Sequence, residues 1–239
     1  RAAWRYTRRL HEMCDRTLVP SSATLESLAA NGVPRLYRWG RGVDTRLFNP
    51  TRRDETLRRE WMGERERLVV GFVGRLAPEK HVERLASLAH DDSVRVVIVG
   101  DGPERARLTR LLPNAVFTGE LRGAELARAY ASLDVFAHAG EHETFCQTIQ
   151  EAMASGVPVV AVGRGGPLDL VDSSRNGWLY APGDLAGLRE RVRDLVGDDA
   201  KRLAFARTAH RTVQPRTWAG VCDQLVEHYE RARTVNARR

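Results

Sequence analysis

Valine-rich apolar runs separated by amphipathic segments constrain this chain more than any other feature. Leu68–Val73 and Val94–Val99 are nearly continuous apolar stretches. A strand with one wet face alternates apolar and polar side chains, whereas a strand buried on both faces, as in a parallel sheet, does not. Further strands are expected at 17–20, 115–117, 135–137, 157–161 and, more briefly, 178–180. Between them Val82, Leu85 and Leu88 recur at helical spacing, as do Leu126, Tyr130 and Leu133, and then Leu185, Leu188, Val192 and Leu195. This alternation predicts an α/β fold, a doubly wound parallel sheet of Rossmann-like type, over roughly 66–197.

The flanks differ. Residues 1–34 read as helix, strand and helix, with Gly32 as a helix stop. Segment 37–50 has the glycine and proline content of a linker, and 51–67 is polar and charged. Beyond Pro215, the residues Trp218, Val221, Leu225 and Tyr229 mark a last amphipathic helix. The chain therefore divides into 1–40, the tail end of a truncated N-terminal domain with its crossover; 41–212, the Rossmann-like domain; and 213–239, a C-terminal helix and tail. The first segment has too few strands to form a sheet alone. The chain also opens at Arg1 without a methionine, so it is expected to be a fragment of a longer protein.

Composition narrows the function classes. No apolar run approaches the roughly 20 residues of a membrane span, and no signal-peptide pattern opens the chain, so a cytoplasmic setting is expected. Cys14, Cys146 and Cys222 are too few and too scattered for a disulfide framework, and no segment has metal-ligand spacing. The net charge of +7 is almost all arginine, interleaved with Asp and Glu, with Lys80 and Lys201 as the two lysines. Scattered charge and sparse aromatics do not make a stacking platform for bases, so a basic module binding nucleic acid or anionic lipid is the lesser alternative.

The chemistry gathers where strands end. Open α/β sheets take ligands beyond the carboxyl ends of their strands. The first valine-rich strand runs into Gly74-Arg75, with Lys80 five residues on; an arginine fork and a compact ammonium suit a diphosphate. The second ends in Gly100-Asp101-Gly102, and Phe117-Thr118-Gly119-Glu120-Leu121 follows the third. Neither is the six-residue dinucleotide fingerprint, which disfavours a nicotinamide or flavin enzyme. The sharpest segment is Glu143-Thr-Phe-Cys-Gln-Thr-Ile-Gln-Glu151. If a helix starts near Phe145, its free first-turn amides face a ligand. Eight helical steps at 1.5 Å span roughly 12 Å, the reach from a ribose to a hexose across a diphosphate. Two carboxylates so placed could each accept hydrogen bonds from hydroxyls at opposite ends of one ligand. His138 and His142 sit at the same edge and read as hydrogen-bonded wall residues. The loop Gly163-Arg164-Gly165-Gly166-Pro167 reads as a strand-end loop or pocket wall.

Taken together, Gly74-Arg75…Lys80, Gly100-Asp-Gly102, Phe117-x-Gly119-x-Leu121 and Glu143-x7-Glu151-Ala-Met-Ala-Ser-Gly-x-Pro-Val resemble the C-terminal, donor-binding domain of retaining GT-B glycosyltransferases of family GT4. The resemblance runs from about residue 21 to the C-terminal helix. It implies that Arg75 and Lys80 bind the donor diphosphate, assisted by backbone amides at Phe145, Cys146 and Gln147. Glu143 would hold donor-sugar hydroxyls and Glu151 the ribose, while Gly74, Gly100, Gly102, Gly119 and Leu121 would line the base pocket. The family transfers a hexose with retention, usually with no metal and no cofactor beyond the nucleotide-sugar substrate. Its leaving diphosphate assists attack on the same face, so no protein nucleophile is expected in this half. Gly-Arg-Gly-Val-Asp44 and Glu-His-Glu143-Thr-Phe-Cys-Gln are most similar to actinobacterial GDP-mannose-dependent α-mannosyltransferases. That implies a lipid-linked acceptor reached through a missing N-terminal domain, no nucleic-acid partner, and a peripheral place at the inner face of the plasma membrane. A UDP-sugar-dependent relative, a glucosyl- or sulfoquinovosyltransferase, is the alternative within the family. Cys146 stands where the family commonly has glycine, and Gln150, where an aliphatic is usual, would bond within its helix or help select the sugar.

Overall fold

The structure, a computed structural model, describes residues 2–89 and 91–236. Arg1 and the last three residues of the expected tail lie outside the described residues. The strands are β1 (Thr17–Val19), β2 (Leu36–Arg38), β3 (Leu68–Val73), β4 (Val94–Val99), β5 (Val116–Gly119), β6 (Val135–His138), β7 (Val159–Val162) and β8 (Gly177–Tyr180). The helices are α1 (Ala2–Glu12), α2 (Ser22–Ala30), α3 (Glu55–Met62), α4 (Arg105–Leu111), α5 (Gly123–Ala131), α6 (Gln147–Ala154), α7 (Pro167–Leu170), α8 (Leu185–Val196), α9 (Asp199–Val213) and α10 (Trp218–Asn236).

Six strands form one parallel sheet in the order β5-β4-β3-β6-β7-β8. The expected doubly wound α/β architecture is present. Alternate residues of β3 explain its unbroken apolar run. Val69 and Val73 enter one core with Phe136, Ile149 and Met153, while Val70 and Phe72 enter the other with Leu85, Leu188 and Val192. Each fully buried side chain of this size stabilises the fold by about 1.5–3 kcal/mol. The strand order reverses between β3 and β6, and such a switch point opens a crevice at the carboxyl edge.

Charge also fixes the frame. Asp134, just before β6, accepts the Val69 amide at 2.8 Å and pairs with Arg53 at 3.0 Å and the buried Arg58 at 2.9 Å. This ties α3 to the amino-terminal ends of β3 and β6. Asp54 caps α3 by accepting the Thr56 and Leu57 amides.

Three local expectations need correction. Segment 37–50 is not a free linker: Tyr37 and Arg38 belong to β2, which pairs in parallel with β1, and Val43 bridges to Thr217. The helical spacing at Val82, Leu85 and Leu88 is realised as 3-10 turns over Val82–Leu88, still burying all three side chains. Strand β5 extends to Gly119, two residues past the expected end. The first forty residues also contact α10: the Trp39 indole donates to the Val221 carbonyl at 2.9 Å, and Arg16 meets His228 at 3.1 Å. Among the described residues, no helix is long and apolar enough to cross a membrane.

Candidate functional site

At the carboxyl edge three loops are laced together by backbone hydrogen bonds. The Gly74 amide donates to Val99, Leu76 to Asp101, and Gly100 to Gly119, at 2.8–3.0 Å. A side chain at Gly100 or Gly102 would collide with this lacing, since a Cβ would lie 2.0 Å from the Gly74 oxygen and 2.4 Å from the Leu76 oxygen. Beside these loops lies a cavity of about 490 Å³, lined among others by Gly74, Arg75, Gly100, Gly102 and Leu121. Four residues expected around the base, Gly74, Gly100, Gly102 and Leu121, line the cavity together with Arg75, which was expected at the diphosphate; Gly119 is not in the lining and contributes its carbonyl to the lacing. Glu120 and Leu126 line it as well.

The two expected diphosphate cations are both held by carboxylates. Exposed Arg75 pairs with Glu79 one turn away. The Lys80 ammonium reaches across to Glu143 Oε1 at 2.5 Å, and His138 Nε2 approaches the same oxygen at 3.3 Å. Burial works against charge on Glu143, but His138 and Lys80 outweigh it and hold the carboxyl below its ordinary range. Burial likewise pushes His138 down, yet Cys146 and Glu143 carry it up to about 9. His138 is therefore a hydrogen-bonded wall residue as expected, but a deeply buried one whose Nδ1 has no partner.

Helix α6 starts at Gln147, two residues later than expected from the sequence. Cys146 takes a left-handed conformation (φ 72°, ψ 69°) that turns the chain sharply into the helix. Phe145 packs into the core before that turn instead of opening the helix. The side chain of Glu143 does not cap the helix. Gln147 donates to the Gly42 carbonyl at 2.9 Å and Gln150 to the Arg41 carbonyl at 3.0 Å, which fastens segment 41–42 over α6. Gln150 is fully buried and bonds outside its helix, correcting the expectation of an intrahelical bond.

Glu151 lies on α6 more than one turn from Cys146 and accepts from the Tyr130 hydroxyl at 2.9 Å. Burial raises its carboxyl to about 7, against the lowering effect of that hydrogen bond. Tyr130 read in the sequence only as one apolar position in a helical repeat; nothing in that pattern marks its hydroxyl as a carboxylate partner. The loop after β7 turns out to support the Glu143 segment, since the Gly166 amide donates to the Glu143 carbonyl at 2.8 Å. A second cleft, of about 230 Å³, lies near the amino-terminal end of β4 and is lined by Arg67, Asp92, Arg95 and Asn114 among others. The carboxyl edge is the better candidate, because it carries both a cavity, over β3, β4 and β5, and a cluster of charged groups where β3 meets β6.

The chain is similar to known proteins. The family described as glycosyl transferases group 1 matches residues 54–212. A GDP-mannose-dependent alpha-mannosyltransferase of Mycolicibacterium smegmatis is 58% identical over 96% of this chain and 60% of its own length. One of the same description from Mycobacterium tuberculosis is 55% identical over 98% of this chain and 61% of its own. The chain thus spans about 60% of the length of these relatives. Among solved structures, HepE of Anabaena in complex with UDP and glucose superposes with a TM-score of 0.83 at 25% identity, over 95% of this chain and 66% of that one. Sucrose-phosphate synthase of Thermosynechococcus elongatus shares the fold at a TM-score of 0.85 and 22% identity, over 97% of this chain and 62% of that one.

Proposed function

The chain belongs to the glycosyl transferases group 1 family, and from that premise we propose that it binds the nucleotide-sugar donor of a retaining hexosyltransferase. GDP-mannose is the donor we favour. The observation that carries this reading is the convergence of Lys80, Glu143 and His138 at the same carboxyl edge of the sheet that holds the glycine-laced cavity. It supplies a cation, a carboxylate and an imidazole in one cluster at that edge. The preference for GDP and mannose rests on the 58% identical relative of that description.

In this reading Arg75 and Lys80 take the diphosphate, exchanging their carboxylate partners for phosphate oxygens. The amides of Phe145, Cys146 and Gln147 add donors to the same group at the start of α6. Once Lys80 turns to phosphate, Glu143 is freed to accept from hexose hydroxyls. Glu151 accepts from the ribose, and the base stacks in the cavity near Gly74, Gly100, Gly102 and Leu121, with Gly119 holding the loops. No side chain here acts as nucleophile; the leaving diphosphate assists attack on the same face, and neither metal nor cofactor is required for that step. The acceptor, a lipid-linked or glycolipid hydroxyl, would be bound by residues beyond this chain, which alone would bind donor without transferring it. A cytoplasmic setting, at the inner face of the plasma membrane when the acceptor is lipid-linked, follows from the same reading. No nucleic-acid partner is expected, because many arginines are already committed to internal ion pairs.

A UDP-sugar-dependent transferase is the second reading, favoured by the 25% identical HepE complex with UDP. Calorimetric titration of GDP, UDP and ADP separates the two. Tightest binding of GDP is expected; a preference for UDP would install the second reading, and binding of none would reject both.

A further inference from the structure

His138, Glu143 and Cys146 bring an imidazole nitrogen, a carboxylate oxygen and a sulfur within 4.8 Å of one another. The chain spacing, four residues and then two, is no metal motif, and only the turn into α6 gathers them. The left-handed Cys146 aims this segment back toward β6, where His138 ends the strand. Two of the three groups are poorly satisfied. His138 is buried with no hydrogen-bond partner at Nδ1, and Cys146 Sγ, which interacts with that imidazole, otherwise makes a long contact of 3.5 Å to the Thr148 hydroxyl.

We propose that this cluster is a binding site for a zinc-class divalent cation. Mixed sulfur, nitrogen and oxygen donors suit a borderline-soft ion of this kind; magnesium instead seeks an all-oxygen octahedron. An ion at about 2.0–2.3 Å from each donor sets the donors about 3.5 Å apart, so the cluster needs only a modest contraction. The Cys146 thiol gives its proton to solvent on binding, and Glu143 exchanges Lys80 for the ion. A fourth position stays open toward the partly exposed side chains of Lys80 and Glu143, which are 25% and 13% accessible. The ion would occupy the carboxylate assigned above to the donor hexose, so it acts as an inhibitor that competes with the sugar. That consequence rests on the donor reading; the ion site itself does not.

Cobalt(II) is the probe, because thiolate ligation gives a near-ultraviolet charge-transfer band and tetrahedral sites give intense visible bands. The titration uses the full chain with Cys14→Ser and Cys222→Ser, which removes the two exposed thiols. One cobalt per chain with a charge-transfer band is expected, displaced by zinc. Cys146→Gly should abolish the band, and His138→Gln should weaken binding by about tenfold or more. Glycine suits the backbone at φ 72°, and a circular dichroism spectrum and urea midpoint near the parent's would separate loss of the ligand from misfolding of a chain that has lost a buried side chain. Absence of the band, or a band that survives Cys146→Gly, overturns the site. Cobalt that binds through Cys146 without weakening GDP-mannose binding would leave the site standing and contradict the hexose role of Glu143.

Discussion

Glu151 shows how one residue's environment sets its chemistry. Its carboxyl is raised from an ordinary 4.5 to about 7 by burial, and Tyr130 only partly offsets this. A raised carboxyl binds its proton more tightly in the fold than in the unfolded chain. Its burial is therefore tolerated below pH 4.5, and the cost of holding the charge grows as pH rises through 7. Glu151→Gln should remove that slope: in urea unfolding, the variant's stability relative to the parent should increase between about pH 5 and pH 8. Tyr130→Phe takes away the hydrogen bond that lowers the carboxyl, so the midpoint seen by carboxyl NMR should move further up. A ribose needs the charged carboxylate as acceptor. GDP affinity relative to the Glu151→Gln chain should accordingly fall as pH drops below 7.

Elements hold these residues in place through contacts that sequence alone does not display. Gly165 (φ 69°) and Gly166 lie against the backbone of the Glu143 segment, and a Cβ on Gly166 would come within 2.4 Å of Phe145 backbone atoms. Gly166→Ala should displace Glu143 and weaken nucleotide-sugar binding while leaving the sheet folded, as circular dichroism and calorimetry would report. At the other end of the strands, Asp134→Ala strips the Val69 amide of its acceptor and breaks the buried pair with Arg58, which keeps Glu55 and the Ser132 carbonyl. A loss of about 3–5 kcal/mol in unfolding free energy is expected, the usual cost of removing one partner of a buried ion pair. The valine runs of β3 and β4 were legible because burial on both faces leaves few polar positions to confuse them, Arg95 near the start of β4 being the exception. The exact start of α6 was not, because a left-handed residue is signalled by glycine and here the position is Cys146. Nor was the pairing of Lys80 with Glu143, which lie 63 residues apart and meet only through the order β3-β6. Lys80, one of two lysines in an arginine-rich chain, stood out, but its carboxylate partner did not.

At the scale of the molecule, the parallel sheet gathers the glycine loops and the Lys80–Glu143 pair at its carboxyl edge, with Glu151 further along α6 on Tyr130. The central claim is that Glu143 and Glu151 grip different ends of one donor. Calorimetry with GDP and GDP-mannose, on the parent chain and on Glu143→Gln and Glu151→Gln, tests it most directly. Loss of Glu151 should weaken both ligands alike, by about tenfold or more, since one charged hydrogen bond is worth about 1.5–3 kcal/mol. Loss of Glu143 should weaken GDP-mannose by a similar factor and leave GDP unweakened, since GDP has no hexose for it to hold. Equal weakening of both ligands by both variants would contradict the account.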